Sequence, residues 1–103
     1  MISYDEAKVR STVIKAMAHP TRLIILEFLK DGEKSVGEIN TLFDADTSTI
    51  SKHLAVLKNV GILGDRKEGS RVYYCLQVPC ILDFFQCVTE VIKHNVRSQV
   101  KAV

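Results

Sequence analysis

The chain contains no tryptophan, two prolines and five glycines in 103 residues. With so few helix breakers and turn formers, collagen-like, low-complexity and disordered classes are excluded. No run of about 18 uncharged apolar residues occurs, so no spanning helix is read. The opening MISYDEAKVR carries acids where an export signal places bases ahead of an apolar stretch, and the protein is expected in the cytoplasm, away from membranes. A Gly-rich phosphate loop and paired carboxylates in an apolar setting are also missing, and the nearest Cys–His arrangement is Cys87 and His94, seven residues apart on one helix. The expectation is therefore no enzyme and no obligatory cofactor. Neither sign of charge dominates: 14 Lys and Arg against 12 Asp and Glu leave +2. Any grip on a polyanion must come from where the bases sit. Cysteine is scarce and local, with Cys75, Cys80 and Cys87 inside 13 consecutive residues. An odd, clustered set without an export signal does not read as a disulfide framework, which leaves metal binding, redox chemistry or burial open.

What is present is 47% apolar residues, patterned for one small domain over residues 1–103, because a second core would leave each half marginal. Periodicity predicts a mainly α chain with one small β-hairpin. A first helix from Tyr4 to Ala18 has Val9, Val13, Ile14 and Met17 at helical spacing and is broken by His19-Pro20. Pro20 restarts a helix in which Leu23, Ile25, Leu26 and Leu29 face inward and Gly32 is the stop. A third helix opens at Ser35, where Ser35 and Glu38 have capping-box spacing, and carries Ile39, Leu42 and Phe43. Asp46 or Thr47 caps a fourth, striped by Ile50, Leu54, Leu57 and Val60 and closed by Gly61. Two helices joined this way make a helix-turn-helix candidate. Glu68-Gly69-Ser70 then separates two runs expected to form an antiparallel hairpin. Pro79 opens a last helix to about Val100, whose Ile81, Phe84, Phe85, Val88, Val91 and Ile92 make a face too apolar for a lone surface helix. It is expected to pack on the first helix and on a second copy, giving a homodimer.

The stretch DTSTISKHLAVLK crowds short polar side chains at the front of the fourth helix. With its apolar stripe inward, Thr47, Ser48, Thr49, Ser51, Lys52 and His53 lie at the first turns and outward, where a core gains nothing from them. Base edges and phosphates do, because only short polar side chains let a helix front enter a major groove. Capping explains one or two of the hydroxyls but not Ser51 and Lys52 as well. Arg66, Lys67 and Arg71 share the hairpin tip, within reach of phosphates or the adjacent minor groove. Double-stranded operator DNA is the expected partner, through these nine residues.

The segments KAMAHPTRLIILEFL, TSTISKHLAVLKNVGIL and KEGSRVYYCL, in that order and over nearly the whole chain, resemble the signature segments of the ArsR/SmtB family of dimeric winged-helix repressors. The resemblance implies a winged helix-turn-helix protomer of four helices, a β-hairpin wing and a fifth helix. It also implies a dimer through the first and last helices, operator binding without inducer, and release on binding it. Carried onto this chain, the recognition helix is Ser48 to Val60 and the wing about Leu63 to Leu76. His19, Pro20, Thr21 and Arg22 match the family's HPTR segment, read as a helix junction with His19 in a structural hydrogen bond. The chain departs from the family at its metal sites. A Cys-x-Cys pair in the third helix meets SVGEINTLF here, with no cysteine. A second family site of Asp, His, His and Glu on paired last helices meets Asp83 and His94 at its middle spacing, but Ile81 and Arg97 beside them. Neither site is expected intact.

The three cysteines remain as the candidate inducer site. In a continuous helix Cys80 and Cys87 share a face but stand about 10.5 Å apart along the axis, too far for one ion at metal–sulfur distances of about 2.3 Å or for a disulfide. With Cys80 in the first turn after Pro79 and Cys75 ending a strand, those two, completed by Cys87 of the same or the partner chain, form a sulfur set. Such a set suits trivalent arsenic or another thiophilic ion, or an oxidative or persulfide signal. The expected function is a repressor released from its operator by an inducer sensed through these thiols, arsenic-like metalloids first. The alternatives are thiol-redox or persulfide sensing, or a repressor of the same fold with no direct ligand, its cysteines packed as small hydrophobes and its last helix bound by a protein partner.

Overall fold

The computed structural model describes residues 1–102, and the side chains of residues 1–97. Helix α1 (Tyr4–Met17) starts where the Ser3 hydroxyl accepts the Glu6 amide at 3.1 Å, with Asp5 and Glu6 in the first turn complementing the positive end of the helix. Helix α2 (Pro20–Phe28) has Pro20 in its first turn and His19 as cap, the imidazole Nδ1 accepting the Thr21 amide at 3.1 Å. A single 3-10 turn (Leu29–Asp31) follows, stopped at Gly32, whose φ of +132° is open to glycine and strained for other residues.

Helix α3 (Val36–Asn40) carries the expected capping box: Ser35 Oγ accepts the Glu38 amide at 3.1 Å and the Glu38 carboxylate accepts the Ser35 amide at 3.3 Å. Helix α4 (Thr47–Asn59), strands β2 (Leu63–Glu68) and β3 (Arg71–Leu76), and helix α5 (Ile81–Ala102) complete the order. A two-residue strand β1 (Lys34–Ser35) extends the hairpin into a three-stranded antiparallel sheet in the order β1-β3-β2, with Ser35 opposite Tyr73. No helix among the described residues is long and apolar enough to cross a membrane.

Ile25, Leu26, Ile39, Ile50, Leu54 and Leu57 are fully enclosed, joined by Met17, Leu29, Ile62 and Leu63, so one core ties α2, α3, α4 and the root of the wing. Each such side chain contributes about 1.5–3 kcal/mol on leaving water.

Four details differ from the reading of the sequence. The third strand was not foreseen, because two residues carry no alternation to read. Helix α3 stops at Asn40, and Leu42 and Phe43 continue it only as tight turns bonded to Ile39 and Asn40. Helix α5 starts at Ile81 rather than Pro79, since the Ile81 and Leu82 amides first close turns on the Val78 and Pro79 carbonyls at 3.1 and 3.0 Å. Leu23 is 38% exposed instead of buried. It lines a groove with Ile14, Phe84 and Val88, between α1 and α2 on one side and α5 on the other. Ile92 lines the same groove, and Val9 and Val91 are exposed on α1 and α5 as well, so much apolar surface of these two helices remains uncovered in a single chain.

Candidate nucleic-acid interface

Helix α4 is two-sided. Ile50, Leu54 and Leu57 are buried at helical spacing, while Thr47, Ser48, Thr49, Ser51 and Lys52 are exposed along its front. Asp46 is the cap: its Oδ1 accepts the Thr49 amide at 2.8 Å and the Ser48 hydroxyl at 3.0 Å. Hydrogen bonds from Thr49 and then Ser48 hold the Asp46 carboxyl below the ordinary carboxylate range. Two consequences follow for the expected contacts. The positive end of α4 already faces a carboxylate of its own chain, so an incoming phosphate does not find it vacant. The Ser48 hydroxyl is engaged and Thr49 is also turned to Asp46, which leaves Thr47, Ser51 and Lys52 as the outward polar groups without a side-chain partner among the described residues.

His53 departs from the outward set. It sits one turn inside α4 and is half-buried, its Nδ1 accepting the Arg22 Nε–H at 3.0 Å and its ring 4.4 Å from that of His19. Arg22 also donates from Nη1 to the Ala16 carbonyl at the end of α1, 3.0 Å away. The HPTR junction is thus fastened directly to α4. Sequence reasoning placed His53 on the wrong side because 100° per residue puts it between the buried and exposed faces, and only the tertiary partner decides.

The wing divides its cations unequally. Arg66 is bidentate on Glu33, with Nε 2.9 Å from one carboxylate oxygen, reaches Glu68 through Nη1 at 2.7 Å, and lies 4.5 Å over the Tyr73 ring. The Arg66 hydrogen bond in turn holds the Glu33 carboxyl below its usual range. Lys67 and Arg71 are exposed and join no ion pair among the described residues. Arg71 lines an open groove with Ser51 and Ser70, which puts a wing cation and the front of α4 on one surface. At the other end of α4, Lys58 pairs with Asp65 of β2 at 2.9 Å, fixing the helix against the root of the wing.

The cysteines are not brought together. Cys75 is half-buried opposite Gly64, alternating with Tyr74 and Leu76, which pack on the core, so its side chain stands on the other face of the sheet. Cys80 is exposed in the turn before α5 and Cys87 is exposed on α5. Among the described residues no group of three His, Cys, Asp or Glu is placed to hold a metal ion. A three-thiolate site from one chain therefore does not fit this structure.

Residues 19–64 match the model of a protein family described as bacterial regulatory protein, arsR family. The transcriptional repressor SdpR of Bacillus subtilis is 36% identical over 73 residues, covering 71% of this chain and 81% of that one. The crystal structure of Mycobacterium tuberculosis Rv0081 superposes with a TM-score of 0.81 at 28% identity, over 95% of this chain and 99% of that one. The solution structure of Mb0332 from Mycobacterium bovis, a homodimeric winged helix-turn-helix DNA-binding domain of a possible ArsR-family transcriptional regulator, gives 0.74 at 31% identity over 94% and 93%.

Proposed function

The chain belongs to the ArsR family of bacterial regulatory proteins and is a DNA-binding transcriptional regulator; from that premise we propose that it is a homodimeric repressor, working in the cytoplasm, that sets two α4 helices into successive major grooves of an operator. The observation that carries this reading is the front of α4, where Thr47, Thr49, Ser51 and Lys52 stand exposed on a helix whose opposite face is fully buried. Phosphates are met by Lys52, Lys67 and Arg71, and bases by the hydroxyls. The apolar face of α1 and α5, with Ile14, Phe84, Val88 and Ile92 at 40% exposure or more, is the surface a second copy covers. The two reading heads then lie about 34 Å apart, and the operator is an imperfect palindrome.

The regulatory half of the proposal concerns the thiols. Cys87 adjoins Val88 and lies within one turn of Phe84 and Val91, at the margin of the face assigned to the dimer seam. Because one chain does not gather the three sulfurs, the signal is read at that seam, as a thiophilic ion such as trivalent arsenic shared between chains, or as an oxidant or persulfide acting on exposed Cys80 and Cys87. A change of seam geometry alters the separation of the two α4 helices, and DNA affinity falls by a coupling free energy of about 1–3 kcal/mol. The test is release of the reduced protein from a fragment upstream of its own gene on titration with arsenite, zinc, cadmium and a persulfide, repeated with each cysteine replaced by serine. Release by one of these agents that the serine variants lose supports the thiol reading. Release that survives all three replacements removes it, and failure to bind the fragment at low salt removes the repressor reading itself.

A further inference from the structure

One cluster plays no part in the contacts just assigned: His19, Arg22 and His53, where the end of α1, the start of α2 and the flank of α4 meet. The hydrogen bond between Arg22 and His53 spans 31 residues of sequence and is part-buried. Its direction is chemically informative. Arg22 is always a donor, so His53 Nδ1 must be an unprotonated acceptor, with the ring proton on Nε2. His19 also uses Nδ1 as an acceptor, for the Thr21 amide, and its ring lies against that of His53 with an angle of 44° between planes. Among the described residues the charged and titratable groups facing His53 are therefore His19 from the junction and Arg22 from α2, with no carboxylate among them to compensate a new positive charge.

We infer that Arg22 and His53 form a positioning pair for the recognition helix: the neutral imidazole takes the Arg22 Nε–H and pins α4 to the α1–α2 junction, and specific DNA binding is lost when that imidazole takes up a proton. Protonation at Nδ1 turns an acceptor into a donor aimed at another donor, and adds a cation beside a guanidinium. The hydrogen bond breaks, and α4 loses its tie to the α1–α2 junction, keeping only its core stripe and the Lys58–Asp65 pair at its other end. Desolvation first, then His19 and Arg22, hold the His53 imidazole below the ordinary histidine value, so the pair is intact at neutral pH and opens on acidification. This inference rests on the reading that α4 enters the operator.

The sign of the effect separates it from simple electrostatics. Added positive charge strengthens binding to a polyanion, so an unpaired surface histidine makes DNA affinity rise as pH falls. A positioning pair makes it fall. The experiment measures affinity of the intact dimer for its operator and for a scrambled duplex from pH 8 to pH 5.5 at constant ionic strength. Binding at pH 8 establishes the repressor reading independently of the pair. The expected result is loss of operator affinity below the His53 midpoint, by up to about tenfold per pH unit for each protomer, while affinity for the scrambled duplex holds or rises. His53→Gln supplies a neutral acceptor and is expected to bind at pH 8 with the acid loss flattened. Operator affinity that is flat or rises on acidification, or a variant that loses affinity in parallel with the native protein, overturns the inference. Should the variant fold poorly, the imidazole nitrogen resonances of the unaltered protein decide: the expected state is the Nε2–H tautomer, titrating at the pH where operator binding is lost. An Nδ1–H tautomer, or a midpoint away from the binding loss, overturns it equally.

Discussion

The unequal partnering of the wing cations leads to a quantitative expectation for salt dependence. Arg66 holds two carboxylates and an aromatic face, whereas Lys67 and Arg71 hold no carboxylate among the described residues. A phosphate approaching Arg66 must displace Glu33 and Glu68, and what it gains is offset by what it breaks. A phosphate approaching Arg71 displaces only solvent and counterions. Each phosphate neutralised on duplex DNA contributes about 0.9 to the slope of log affinity against log salt. In a two-fold dimer one substitution removes two contacts, so Arg71→Ala reduces the slope by about 1.8. Between about 50 and about 200 mM salt, a fourfold change, the variant loses about twelvefold less affinity than the native protein. Arg66→Ala leaves the slope unchanged within a few tenths, because it removes an internal clamp rather than a phosphate contact. Fluorescence anisotropy over a salt series with the operator duplex measures both. Equal slope reductions for the two substitutions would refute the partition of the wing into clamp and contact, and an unchanged slope for Arg71→Ala would remove the wing from the interface.

Further expectations come from the core, the cap and the seam. Leu57 is fully buried in the α4 stripe, so Leu57→Ala costs about 2–5 kcal/mol, read by urea unfolding at fixed protein concentration. Asp46→Asn keeps a capping side chain but removes the charge; neutral-pH stability is expected to fall slightly while operator affinity rises, and a fall in affinity would count against the crowding of that helix end by its own carboxylate. Since the Asp46 carboxyl is held below its ordinary range, its contribution to stability is complete above the unfolded carboxylate value and is lost as pH falls through the folded one, a loss that acid unfolding of the Asn variant should lack. Val88→Asp changes a residue 43% exposed in the single chain, so the protomer fold survives and sedimentation shows dissociation, with binding to a half-site duplex retained and cooperative binding to the palindrome gone. A dimer unaffected by this change would place the seam elsewhere.

The parts legible in the sequence are those whose cause is local. The Ser35–Glu38 capping box, the break at His19-Pro20, the turn through Gly69 and the stripe of Ile50, Leu54 and Leu57 each depend on residues within about one turn of one another, and each stands where periodicity or turn chemistry put it. The parts that were not legible depend on distance along the chain. Glu33 meets Arg66 across 33 residues and Arg22 meets His53 across 31, so a cation read as free for phosphate is clamped and a histidine read as outward is a brace. Leu23 shows a third kind of limit. Its apolar character and helical spacing are real, yet it faces the groove beside α5 rather than the core of its own protomer. Hydrophobic pattern states that a face is to be covered but not by which chain, and in the proposed dimer the same pattern serves the core and the seam. The cysteines were legible only in part for the related reason that spacing constrains only what one helix can bring together: it excluded Cys80 with Cys87 as a pair on one helix, and could not say which face of the wing Cys75 would take. That face is set by the alternation of β3, with Tyr74 and Leu76 claiming the core, so any partner for Cys75 sulfur must approach from outside the protomer's own packed interior.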